Sequence, residues 1–245
     1  MLARPLWIVA VFVMGIVAGP TPAAATHLPP LAFLDDFSDM DIDDDMPVSW
    51  GTFSPVNIFA GTGDLVLARP DATQGGNRAA RVRDYGYTDI SIRTQVRLLD
   101  GFTGGGFGSG VGVFRSPEFD GYAGVIRPDG EIAIFSTGDS VDLASMMTAF
   151  DVVNGDIQIR FDVFGDVLSL KVWADGTTEP AAPQLTVVDT RFPEEGFIGV
   201  ASQDFASQTA FRFFAVVPEP STALLLGLGL IGLAASKKTR RPERQ

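Results

Sequence analysis

Residues 156–174 read DIQIRFDVFGDVLSLKVWA, and the period of that stretch decides the fold. Ile157, Ile159, Phe161 and Val163 alternate with Asp156, Gln158, Arg160 and Asp162. Alternation of period two marks a strand with one face buried and one face wet. Phe164-Gly165-Asp166 then turns the chain into a second run in which Leu168, Leu170 and Val172 share one side, so the pair predicts a β-hairpin. Trp173 falls on the side opposite those residues and faces out under strict alternation.

Working outward, the same device recurs at 89–98, with Ile90, Ile92, Val96 and Leu98 on one side and Asp89, Ser91, Arg93, Gln95 and Arg97 on the other. Further strands are expected at 64–68, 79–83, 110–115, 121–126, 131–135, 185–188, 197–201 and 209–216. About a dozen short strands separated by Gly, Pro, Asp and Asn turns predict an all-β sandwich. Residues 142–150 are the one stretch expected to form a short helix. The run GGGFGSG at 104–110 lacks the Lys-Ser/Thr ending of a phosphate loop and reads as a flexible connection.

The two ends follow other rules. Arg4, the 13-residue apolar run 6–18 and the small residues Ala23-Ala24-Ala25 read as a secretory signal peptide, residues 1–25, removed before Thr26 by signal peptidase. At the other end Pro218, Glu219 and Pro220 precede the apolar run 222–235 and the basic residues Lys237, Lys238, Arg240, Arg241 and Arg244. Fourteen residues reach only about 21 Å as a helix, short of a hydrocarbon core of about 30 Å. A marginal transmembrane helix with a basic stop fits transient residence in the inner membrane, with the domain outside the cytoplasm.

Between the ends, residues 26–217 form one expected domain carrying 12 basic and 28 acidic residues, a net charge of -16. That sign argues against nucleic acid as a partner. The chain has no cysteine and a single histidine, His27. Nucleophilic triads, zinc sites built from Cys or His, and haem held by His are therefore excluded.

The tail VPEPSTALLLGLGLIGLAASKKTRR resembles the PEP-CTERM sorting signal of exopolysaccharide-producing Gram-negative bacteria. The resemblance implies export and processing by exosortase, a membrane protease-transpeptidase that reads Pro218, Glu219 and Pro220. It places the protein at the cell surface or in the extracellular matrix. A second resemblance rests on LKVWADGTTEP at 170–180, GFIGV at 196–200, the closing aromatics Phe211-Arg212-Phe213-Phe214, and the opening FLDDFSD at 33–39 with PVSW at 47–50. These look like the concanavalin A-like, laminin-G-like jelly rolls of secreted bacterial proteins. The resemblance implies a concanavalin A-like jelly-roll β-sandwich, and in it Trp173 packs against the adjoining turn.

Two sets of side chains stand out as candidate sites. Asp35, Asp36, Asp39, Asp41, Asp43, Asp44 and Asp45 put seven carboxylates within eleven residues. Calcium takes such oxygen ligands, and a solvated loop is the alternative. An EF-hand is excluded, because counting from Asp41 the sixth residue is Met46 and the twelfth Thr52. Among the aromatics, Tyr85, Tyr87 and Tyr122 are candidates to stack on sugar rings. Catalysis by paired carboxylates needs two acids about 5 to 10 Å apart. The glucanases of the jelly-roll family carry Glu-x-Asp-x-x-Glu, whereas Glu118-Phe119-Asp120 is followed by Ala123 and Glu131-Ile132-Ala133 lacks the Asp. The expectation is a non-catalytic surface protein that associates with exopolysaccharide. A glycoside hydrolase and a purely structural matrix protein are the alternatives.

Overall fold

The computed structural model describes residues 32–42, 47–52, 57–61, 63–68, 77–83, 86–99, 108–114, 120–192, 195–203 and 209–217. The signal peptide 1–25, the tail 218–245 with its apolar run 222–235, Asp43–Asp45 and Tyr85 lie outside them. Among the described residues no helix is long and apolar enough to cross a membrane. The described residues include fifteen strands: β1 Phe33–Asp35, β2 Trp50–Thr52, β3 Asn57–Gly61, β4 Asp64–Ala68, β5 Asn77–Val82, β6 Ile90–Leu98, β7 Gly108–Phe114, β8 Gly121–Ile126, β9 Glu131–Ser136, β10 Val141–Met147, β11 Ile157–Phe164, β12 Val167–Ala174, β13 Leu185–Val188, β14 Phe197–Gln203 and β15 Thr209–Val216.

They form two antiparallel sheets. The first has the order β13-β12-β11-β6-β15-β4-β3, with β1 also on β15, and the second β10-β9-β8-β7-β14-β5-β2. The hairpin read from 156–174 is present, Ile157 opposite Ala174 and Phe164 opposite Val167. Its turn uses Gly165 at φ 57°, a left-handed conformation that costs a residue without a Cβ nothing.

The expected helix at 142–150 is instead the edge strand β10, paired with β9 from Val141 opposite Ser136 to Met147 opposite Glu131. Ala, Leu and Met favour helix only weakly, and an open ladder beside β9 outweighs that preference. Its side chains are mostly exposed, so the strand shows no buried face by which the sequence could announce it. Similarly, Gly108–Gly110, read as part of a loop, begin β7 opposite β8 and β14.

The core lies between the sheets. Ile92, Val96, Ile159, Phe161, Leu168, Leu170, Phe211 and Phe214 meet Val111, Val113, Ile132, Ile134, Ile198, Val200 and Trp50, all essentially without exposure. Ala79, Phe114, Ala123, Val125, Ala133, Phe135 and Ala201 form a separate buried cluster. With no cysteine to staple it, the sandwich depends on this packing.

Gly124 of β8 faces the other sheet with no room for a side chain: a Cβ would lie 2.6 Å from Leu170 Cδ1 and 2.9 Å from Phe161 Cδ2. Gly124→Val forces those two core side chains out of their places and is expected to cost about 1–3 kcal/mol of stability. Urea unfolding measures it, and an unchanged midpoint would contradict so tight a contact.

Candidate functional site

A groove of about 660 Å³ opens where the first and last strands meet. Strand β1 runs along β15 with Leu34 opposite Ala215 and Phe33 opposite Val216. Leu34, Phe213, Ala215 and Val217 give the groove its apolar surface, and Asp36, Arg93 and Arg212 its polar groups. Leu34 is 60% exposed, a large apolar side chain turned to solvent beside three charged ones.

A β-bulge brings two consecutive residues of β15 to the groove. Phe211 stands opposite Val96 and Phe214 opposite Thr94, so β15 spends one residue more than β6 across this interval. Phe211 and Phe214 remain buried while Arg212 and Phe213 line the groove. The extra residue removes a carbonyl from the ladder, and the buried Thr94 supplies the partner: its hydroxyl donates to Phe213 O at 2.5 Å.

Arg93 is held in place from three sides. Its Nε donates to Gln158 Oε1 at 3.2 Å, and its guanidinium lies 4.9 Å from the Trp173 ring centre and 5.8 Å from that of Phe213. Gln158 in turn donates to Gln95 Oε1 at 3.0 Å and to Asp175 Oδ1 at 2.7 Å. Trp173 does stand on the outer side of its strand, yet only 4% of it is exposed. Arg212 sits 3.6 Å from Asp64 and 3.5 Å from Asp156, and Asp156 is also paired with Arg97. The hydrogen bond from Arg97 holds the Asp156 carboxyl below its ordinary range. The groove thus offers a ring face, guanidinium donors and one carboxylate at fixed spacing, chemistry suited to a hydroxyl-bearing ring.

The described carboxylates at the start of the acidic run make local hydrogen bonds. Asp35 is buried, accepting from Trp50 Nε1 at 2.7 Å and from Phe37 N at 3.0 Å. Burial pushes its carboxyl above the usual range, although these two hydrogen bonds pull the other way. Asp36 and Asp39 fold back on the backbone, accepting from Ser38 N and Asp41 N at 3.1 Å each. Among the described residues no three acidic or imidazole groups converge as a metal cage requires.

Two of the candidate tyrosines are buried. Tyr87 is 7% exposed and bridges Gly196 through its backbone. Tyr122 is 1% exposed; its hydroxyl lies 2.6 Å from Asp189 Oδ1 and accepts from Phe192 N at 3.1 Å. Burial raises the Tyr122 phenol to about 12. Neither side chain presents a ring face to solvent, because each hydroxyl-bearing ring fills the interior instead. Of the residues weighed for catalysis, Glu118 lies outside the described residues. Glu131 accepts from Ser145 and is paired with Arg127, which keeps its carboxyl below the usual range and ill suited to donating a proton.

Phe213, Arg93 and Arg212 escaped the sequence reading as site residues. One signal was there: Phe211-Arg212-Phe213-Phe214 breaks period two, as a bulged strand must.

The residues 216–241 match the PEP-CTERM protein-sorting motif. No curated protein matches the sequence significantly. Among solved structures the chain is similar to the carbohydrate-binding module CBM66 from Bacillus subtilis, with TM-score 0.50 and 20% identity over 66% of this chain and 91% of that one. It is also similar to the exoplasmic/lumenal domain of VIP36 bound to Ca2+ and Man3GlcNAc, with TM-score 0.54 and 11% identity over 71% and 85%. A third is the Lotus tetragonolobus seed lectin, with TM-score 0.54 and 7% identity over 76% and 97%.

Two measurements check the local geometry. Thr94→Val removes the hydroxyl that satisfies Phe213 O and is expected to cost about 1–3 kcal/mol in urea unfolding, with Thr94→Ser losing less. Equal midpoints for both variants and the parent would show the bulge does not need that bond. Asp189, held to about 2 chiefly by the hydrogen bond from Arg191, has a folded pKa below its unfolded value of about 3.9. Its contribution is full above that unfolded value and is lost as pH falls toward 2. The melting temperature of the parent should thus drop more steeply between pH 5 and about 2 than that of Asp189→Asn; parallel curves would dismiss the pair.

The chain therefore joins a concanavalin A-like jelly-roll domain to a PEP-CTERM protein-sorting motif, which marks it as an exported protein.

Proposed function

We propose that this is a non-catalytic surface or matrix protein of a Gram-negative bacterium, which associates with exopolysaccharide through the groove between β1 and β15 after exosortase has processed its tail. The observation that carries the reading is the groove itself, where the Phe213 ring, Arg93 and Arg212 share one wall beside Asp36. Flat rings with fixed donors and acceptors suit pyranose faces and hydroxyls. Support comes also from the sorting motif and from neighbours that are carbohydrate-binding modules and lectins.

The charges of the groove choose among polymers. Arg212 is already neutralised by Asp64 and Asp156, and the domain as a whole is strongly acidic. A neutral, hydroxyl-rich polymer fits this better than a polyanion, which the surface repels. Calcium on the acidic run Asp35–Asp45 belongs to the reading as a separate ligand, in keeping with a neighbour that is a Ca2+-bound form. The groove takes only Asp36 from the acidic run.

Affinity electrophoresis of the processed protein through the producer's own exopolysaccharide, and through a mannan, tests this. Retardation is expected on the former, equal in calcium and in chelator. Phe213→Ala should weaken it by about tenfold, as loss of a stacking ring implies. No retardation on either polymer, or full retardation of Phe213→Ala, would sink the groove as the site.

A further inference from the structure

Arg93 brings to the groove a positive charge that no described carboxylate answers. Its partners are the Gln158 amide oxygen, which takes Nε, and the rings of Trp173 and Phe213. The terminal Nη1 and Nη2 groups have no partner among the described residues. In this Arg93 stands apart: Arg97, Arg127, Arg160, Arg191 and Arg212 each lie within ion-pair distance of an Asp or Glu. Asp36 lines the same groove, yet it makes no ion pair with Arg93 and instead accepts from Ser38 N at 3.1 Å.

A half-buried guanidinium held against two rings has given up part of its hydration, and an unpaired charge in that position costs free energy. Residues 26–217 have a net charge of -16, so acidic partners are plentiful, and the open place beside Arg93 is a feature of the groove and not of the composition. We propose, on the reading that the groove is the polysaccharide site, that this place takes the carboxylate of an acidic sugar, gripped end-on by Nη1 and Nη2, in a polymer whose other residues are neutral. A planar guanidinium matches the two oxygens of a carboxylate in a paired geometry that a single hydroxyl does not provide. Gln158, Trp173 and Phe213 fix the fork beforehand. The guanidinium lies 5.8 Å from the Phe213 ring centre, so one sugar stacked on that ring holds its own substituent within reach of Arg93. Density of charge sets the limit. A polymer ionised at every residue is repelled by the acidic domain, whereas a single carboxylate meets Arg93 in contact, and others spaced beyond a Debye length of about 8 Å add little repulsion.

Affinity electrophoresis tests this, with protein recovered from the producing bacterium and the producer's exopolysaccharide before and after its carboxyl groups are reduced to alcohols with carbodiimide and borohydride. Reduction is expected to weaken binding of the parent about ten- to a hundredfold, the worth of hydrogen bonds to a charged group. Arg93→Gln should bind the native polymer that weakly and lose nothing further on the reduced one, since a mutant cycle shows no second loss once the partner is gone. Arg93→Lys keeps the charge without the fork and should fall between the two. The same polymer after mild acid tells the source of the carboxylate: a uronic acid survives the treatment with its binding, and a pyruvyl ketal is lost together with it. Retardation of the parent that is equal on native and reduced polymer overturns the proposal and leaves the groove reading in place. A loss on reduction as large in Arg93→Gln as in the parent also overturns it, because the carboxylate is then held elsewhere. The comparison of the two polymers uses the parent alone and stands whatever Arg93→Gln does to the fold. No retardation on either polymer removes the groove reading and this proposal together.

Discussion

Strand β15 hydrogen-bonds to three others at once, β6 along one edge and β4 and β1 along successive parts of the other. It supplies Phe211 and Phe214 to the core and Arg212 and Phe213 to the groove, and its last residue opens the sorting motif. The first sheet is three separate pieces without it, β13-β12-β11-β6, β4-β3 and β1, since the last two reach β6 only through β15. Pairing the first strand with the last closes the longest loop available to the domain, which costs chain entropy and delays closure. Export threads the amino end first, so the piece that completes the sandwich is the piece the sorting tail trails behind.

What repays that closure is an aromatic knot around a buried carboxylate. Trp50 packs edge-on against Phe214 at 5.1 Å and tilted against Phe37 at 5.6 Å, while its indole N–H donates to Asp35. Phe33 adds a contact to Phe214 at 6.0 Å. Burying an ionisable group is costly, and its raised carboxyl pKa records that cost. Two hydrogen bonds offset it and at the same time orient the turn that follows, where Phe37 adopts a φ of 54°. In a domain without disulfides this knot ties the opening segment to the closing strand. The acidic run thus begins with a structural residue whose neighbours are turn formers.

The strands with two full periods of alternation were readable to within a residue or two: β6, β11 and β12 declared themselves, as did β8, β13 and β15. The strands β1 and β2, of three residues each, are too short to show a period, and β10 has no buried face to reveal. The site was harder for a physical reason. Phe213 reaches the groove because a bulge shifts register, and the bulge is held by a hydroxyl 119 residues away in the chain. Tyr122 read as a surface ring because an amphipathic side chain invites that reading, but its hydroxyl partner, Asp189, lies 67 residues on. Partners so distant are not written in local pattern; the alternation shows which face a residue takes and leaves open what covers it.

That distinction explains the outer side of the first sheet. Alternation assigned Ser91, Gln95, Gln158 and Asp162 to water, yet all four are buried. Polar partners across the ladder account for much of this: Ser91 donates to Asp162, and Gln158 donates to Gln95 Oε1 and Asp175, while the buried Gln95 amide nitrogen has no hydrogen-bond partner. Glu179, reaching back from beyond β12, accepts from Arg160 at 3.2 Å and Lys171 at 3.0 Å. Each satisfied network removes charge from the surface and stiffens the strands beneath. The network reaches the groove through Arg93, which lines the groove and donates to Gln158. A side chain held in this way loses little conformational entropy when it makes a further contact.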